Sequence, residues 1–207
     1  MLNPKIEYTY IDIETTGLNP KTDHITEIGA IKILGNNIVD VYDELVYTPK
    51  KINSRIYELT GINNSMVEYA DGISSVLGSF SDWLGLEKRK LQFYFGYNSG
   101  FDKRFLEKAG LKIKIGDVLP IAKKNIKNKD SYSLYNLGNS LGFSLGNVQH
   151  NPVYESLMTH FIHRYASGGR TMINYQYLCE QFKNVTDNIR KIDTHIKPVN
   201  ISVTKNK

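Results

Sequence analysis

Disulfide chemistry is the first thing this sequence lacks: Cys179 is its only cysteine, so no internal bridge can form. Long apolar runs are missing as well. None approaches the roughly 20 residues that a membrane-spanning helix needs. The first ten residues, MLNPKIEYTY, lack the charged, apolar and small-residue zones of a secretory signal. These absences lead us to expect a cytoplasmic protein with no membrane partner. A strong charge of one sign is also lacking. Lys and Arg number 26 against 21 acids, a net +5 that permits a polyanionic partner without demanding one. The excess is local: residues 103–129 hold nine Lys or Arg and two acids. Such a stretch is either a solvated face or a sequence-blind contact for a phosphate backbone.

What is present suits one domain with a full core: 207 residues, 41% hydrophobic and 23% charged. Residues 6–14 alternate and read as a strand. GLNPKTD is a turn. ITEIGAIKIL and NIVDVYDELVY read as a hairpin around GNN. From Asn53 to about Leu86 the apolar spacing becomes helical. LQFYFGY, residues 91–97, reads as a buried strand. A helix follows, with Ser99 as N-cap and Gly110 as stop, then a short strand in LKIKIGD. Helical segments are expected near 117–126 and in SLYNLGNSLGF. A last long helix is expected after HN, with Asn151 as N-cap, Pro152 at its first position and Gly168 at its end. One further helix is expected at about 174–191, and the final residues read as frayed or partner-dependent. Hairpin first, alternation after, implies an α/β fold with a mixed sheet flanked by helices.

The chemistry starts at YIDIETTGL. Asp12 and Glu14 stand two apart on a strand and point to one face, with Ile11 and Ile13 on the other. Two unpaired carboxylates repel, and nothing nearby in sequence neutralises them. A divalent cation with hard oxygen ligands would, which favours Mg²⁺ or Mn²⁺. A pair of acids facing solvent at a strand end is the ordinary alternative. Asp102 in NSGFDKRF can serve as the acid of a capping box begun by Ser99. Glu155 in HNPVYES can serve the dipole of its helix. His150 lies on the loop just before. His160 and His163 have no third ligand nearby and read as structural or exposed.

Taken in order, DIETTGL, YNSGFD and HNPVYE resemble the three motifs of the DnaQ-like exonucleases, the DEDDh branch of 3′–5′ exonucleases, and in particular its polymerase proofreading subunits. The first motif matches D-x-E-T-T-G letter for letter. ITEIGAI resembles the family's second strand, the second block matches at Asn98, Phe101 and Asp102, and SLYNLGNSLGF resembles the approach to the third motif. The likeness covers residues 6–168. It departs at Pro152, where the family usually has Ala, and at Glu155, where it has Asp.

The resemblance implies an RNase H-like fold over residues 1–168, with 169–207 as a helical extension and tail. It implies two Mg²⁺ or Mn²⁺ ions held by Asp12, Glu14, Asp102 and Glu155. His150 would be the general base, a task for which imidazole titrates in the right range. Thr15, Thr16, Gly17, Leu18, Asn98 and Phe101 would hold the terminal nucleotide of DNA or RNA, most simply single-stranded. The activity implied is release of nucleoside 5′-monophosphates from a 3′ end. The other reading is a nucleic-acid-binding module, or an accessory subunit docked on a polymerase through its tail, with catalysis weakened by Glu155.

Overall fold

A computed structural model describes residues 2–87, 92–144, 150–169, 180 and 202–203. Strand β1 (Glu7–Thr15) and the hairpin of β2 (Ile25–Leu34) and β3 (Asn37–Leu45) stand where the alternation predicts. β4 (Phe93–Gly96) and β5 (Ile115–Asp117) complete a five-stranded sheet of order β3-β2-β1-β4-β5. β1 pairs antiparallel with β2 and parallel with β4, so the sheet is mixed, as expected.

The pattern between Asn53 and Leu86 proves to be three helices: α1 (Ser54–Thr60), α2 (Asn64–Val67) and α3 (Ile73–Leu84). The breaks have local causes. Gly61 takes a left-handed conformation (φ 75°) that closes α1, and the Asn63 side chain caps α2 by accepting from Met66 N. Apolar spacing runs on through such breaks, so it reports the buried face and not the stops.

α4 (Gly100–Ala109) ends at left-handed Gly110 and has Ser99 at its N-cap position, both as expected, but the Ser99 side chain makes no cap hydrogen bond. Ser99 is itself helical (φ −60°, ψ −7°), so its hydroxyl is not aimed at the free N–H groups. The capping-box reading of Asp102 therefore fails. α5 (Val118–Asn125) and α6 (Leu134–Ser140) lead to α7 (Pro152–Ala166), whose N-cap is Asn151, accepting from Tyr154 N at 3.2 Å. The helix expected at 174–191 lies outside the described residues except for Glu180, which is helical. Ser202–Val203 form β7, antiparallel to β6 (Phe143–Ser144).

Two cores follow from the alternation of β1. Tyr10, Ile31 and Ile33 pack against α5, α6 and α7 on one face. Ile11, Ile13, Ile28 and Ala30 pack against α3 and α4 on the other. Full burial of each of these isoleucines contributes about 1.5–3 kcal/mol. Asp12 falls between Ile11 and Ile13 and so shares the α7 face. His160 and His163 are buried there, 1% and 3% exposed, against the ring of Tyr10. Burial holds them neutral, lowered to about 3 and about 4. Of the two readings offered for them, exposure is excluded.

α7 lies on the sheet because Gly29 has no side chain. A Cβ at Gly29 would stand 2.6 Å from Val153 N. Gly29 is the register partner of Asp12. The first turn of α7, which carries Glu155, is therefore set down beside the strand position of Asp12.

Candidate active site

A cleft of about 280 Å³ opens at the C-terminal ends of β1 and β4, where the parallel pair leaves a crevice. Asp12 and Glu14 come from β1, Asp102 from the first turn of α4, Glu155 from the first turn of α7, and His150 from the loop before it. Gly17, Leu18, Asn98 and Phe101 also line it, with Thr15 at its edge. Thr16 does not line it, because its hydroxyl turns inward.

The four carboxylates are crowded and unneutralised. Among the described residues no Lys or Arg pairs with any of them; His150 Nδ1 lies 4.0 Å from Glu14 and 3.6 Å from Glu155. Burial pushes Asp12 well up, and Glu155, Asp102, Glu14 and Glu27 push it further. Glu14 rises for the same first cause, then through Glu155 and Asp102. Asp102 is raised to about 8 by burial and by the charge of Glu155, against backbone hydrogen bonds at itself and Ile13. Glu155 is raised by burial, against the hydrogen bond it accepts from Tyr135. Such a group is costly unless a cation joins it.

The residues present fit a hard divalent ion. Ligand atoms of Glu14, His150 and Glu155 all lie within 4.8 Å of one another. Asp12 and Asp102 are not in that tightest group, but both line the cleft and feel the same charges. All four carboxylates offer oxygen, the donor that Mg²⁺ and Mn²⁺ prefer.

The loop after β1 is held from behind. Thr15 Oγ1 donates to Gly17 O at 2.7 Å. Thr16 Oγ1 donates to Asp23 Oδ1 and accepts from His24 N. Asn19 N donates to Asp23 Oδ2 at 2.8 Å, and Lys50 pairs with the same carboxylate. A Cβ at Gly17 would come within 2.6 Å of Asp23 Oδ2, so only glycine fits against this anchor. Leu18 is thereby left 82% exposed at the cleft mouth. Across from it, Asn98 holds a left-handed backbone (φ 55°), with its N–H bonded to Asp117 Oδ1 at 2.9 Å.

Several contributors were not legible in advance. Ile56, Leu59 and Thr60 of α1 and Tyr97 line the cleft. Tyr135 on α6 touches both Glu155 and His150. The stop at Gly61 hinted at a separate α1, but only tertiary packing brings that helix to the cleft. Of the nine basic residues at 103–129, none lines it; eight are exposed elsewhere, and Lys129 is half-buried. A larger cleft of about 710 Å³, lined by His24, Tyr47, Ile73, Phe105 and Lys108 among others, contains none of the four clustered acids. Among the described residues no helix is long and apolar enough to cross a membrane.

Comparison with known proteins accords with this geometry. Residues 9–156 match the RNase T family model, described as Exonuclease. The chain is 36% identical over 152 residues to DNA polymerase III PolC-type of Thermotoga maritima, covering 70% of this chain and 10% of that protein. It is 33% identical over 147 residues to the Clostridium perfringens protein of the same name, covering 68% and 10%. The chain thus spans about a tenth of the length of the curated relatives it matches. In fold it is similar to the nuclease domain of 3′hExo, a DEDDh family member solved with rAMP (TM-score 0.66, 19% identity, 81% of this chain and 96% of that one). It is also similar to exonuclease X in complex with 5′ overhanging duplex DNA (TM-score 0.61, 20% identity, 78% and 93%).

Proposed function

The chain belongs to this exonuclease family, and from that premise we propose that it is a metal-dependent 3′–5′ exonuclease that releases nucleoside 5′-monophosphates from DNA or RNA. One observation carries the proposal: four crowded carboxylates and one histidine share a cleft, and no Lys or Arg among the described residues neutralises them. Two Mg²⁺ or Mn²⁺ ions held by Asp12, Glu14, Asp102 and Glu155 would supply, when bound, a hydroxide nucleophile and a counter-charge for the departing 3′ oxygen.

The chain's own residues do the rest. His150, on the open side of the carboxylates, takes the proton from the attacking water. The anchored loop presents the backbone of Thr15 to Leu18 to the 3′-terminal sugar and phosphate. Leu18 meets the terminal base, with Ile56, Leu59 and Phe101 among the other apolar side chains that line the cleft. A single-stranded end is the substrate form this reading takes. The basic segment 103–129 would attract the backbone at longer range.

Residues 1–168 constitute the catalytic unit in this reading, and 169–207 an extension. The PolC-type relatives suggest a polymerase as the partner for that extension. A binding module without catalysis has no observation in its favour, since every acidic position of the three motifs is filled and faces the cleft.

The test uses 5′-labelled DNA and RNA, single- and double-stranded, with Mg²⁺, Mn²⁺ or EDTA. A ladder shortening from the 3′ end with metal, and intact strand in EDTA, is expected. Retarded but uncut strands in every metal would contradict the proposal.

A further inference from the structure

Glu155 reaches about 1.5 Å further than an aspartate and carries one more rotatable bond. A ligand made longer and looser has to be held. The structure contains a holder, on an element outside the three motifs. Tyr135, in the first turn of α6, has its hydroxyl 2.5 Å from Glu155 Oε1 and 2.8 Å from His150 N. His150 N also reaches Glu155 Oε1, at 3.0 Å.

The direction of these bonds is fixed by what each group can do. A backbone N–H only donates, so the Tyr135 oxygen accepts from His150. Its single proton is then directed to the carboxylate of Glu155. Glu155 Oε1 takes two donors, while Oε2 takes none among the described residues. The carboxylate is turned so that one oxygen faces Tyr135 and the other is left for a cation. The same hydroxyl ties down the backbone of His150, which sits in the left-handed region (φ 57°) that a non-glycine residue keeps only when held.

We infer that Tyr135 is a positioning residue that matches this site to glutamate at position 155 and ties that ligand to the loop of His150. The inference rests on the proposed function. An aspartate at 155 would end short of the hydroxyl, so the contribution of Tyr135 belongs to the longer side chain.

The test is a double-variant cycle with the full chain: wild type, Tyr135→Phe, Glu155→Asp and the combination. Mn²⁺ affinity is read by titration calorimetry, kcat in parallel, and the unfolding midpoint in EDTA as a check on folding. In the wild-type background Tyr135→Phe is expected to weaken Mn²⁺ binding by about tenfold or more, the scale for a group that orients a metal ligand. In the Glu155→Asp background the same change should cost less than about twofold, since the bond to the metal ligand is already gone and only the one from His150 N remains to be lost. Equal weakening in both backgrounds would mean that Tyr135 merely supports the fold, and would overturn the inference. So would no weakening in either. A wild-type chain that binds no Mn²⁺ would instead overturn the proposed function, and this inference with it.

Discussion

The loop that follows β1 is anchored on one carboxylate, Asp23, and the cleft beside it holds four others, and the two groups are treated in opposite ways. Asp23 is surrounded by donors: Lys50, Thr16 and the N–H of Asn19. Burial would push its carboxyl up, but those partners outweigh burial and hold it below its ordinary range. Asp12, Glu14, Asp102 and Glu155 have no Lys or Arg partner among the described residues, and every one is raised. An acid that the fold has neutralised supports the loop. Acids that no Lys or Arg among the described residues neutralises are left open to a cation from outside.

The comparison is broken most forcefully at Asp12. Asp12→Asn should reduce metal-dependent cleavage to the assay background, because a ligand is lost. Cleavage gels on labelled strands check it, and full turnover would remove Asp12 from the site. His150→Ala comes next, with an expected loss of about 10²–10⁴ in kcat, the range for a positioned base. Calorimetry should find its Mn²⁺ affinity close to wild type, which separates proton transfer from metal binding.

Asp23→Asn should act in the other direction, through stability. Losing the charged partner of Lys50 should cost about 1–2 kcal/mol in chemical denaturation, with KM raised more than kcat is lowered. A fall in kcat as deep as that of Asp12→Asn would erase the distinction between the two groups.

The smallest effect is on pH dependence without metal. Asp102 binds its proton more tightly folded (about 8) than unfolded (near its ordinary value of 3.8). Its contribution is therefore present below about pH 4 and lost as pH rises towards 8. Asp23 has the opposite sign: its contribution is present at neutral pH and lost on acidification. His160 and His163 also lose stability as pH falls below their ordinary 6.5, because they are buried neutral. In EDTA, Asp102→Asn should flatten the decline between pH 4 and 8, which unfolding midpoints across that range would register.

The comparison also explains what could be read in advance. Asp12, Glu14, Asp102 and Glu155 stand inside sequence motifs, and the alternation of β1 sends its two acids to one face, so both the strand and the site were legible. Asp23 lay in a segment read only as a turn, because its value depends on Lys50, 27 residues away. Gly29 and Tyr135 escaped for the same reason: the approach of α7 and the bond to Glu155 exist only once the chain has folded. The place of Ser99 at the N-cap was legible, but its missing side-chain bond was not, because the motif gave the residue types and not the backbone angles.

If the four carboxylates are an unfinished cation site, melting wild type and Asp12→Asn at pH 8, each in EDTA and in Mn²⁺, should reveal it. In EDTA the variant should melt higher, because one repelling charge has gone. In Mn²⁺ the order should invert, because wild type gains a ligand-bound state that the variant cannot complete. The same order in both buffers, or a wild type that Mn²⁺ does not stabilise, would contradict it.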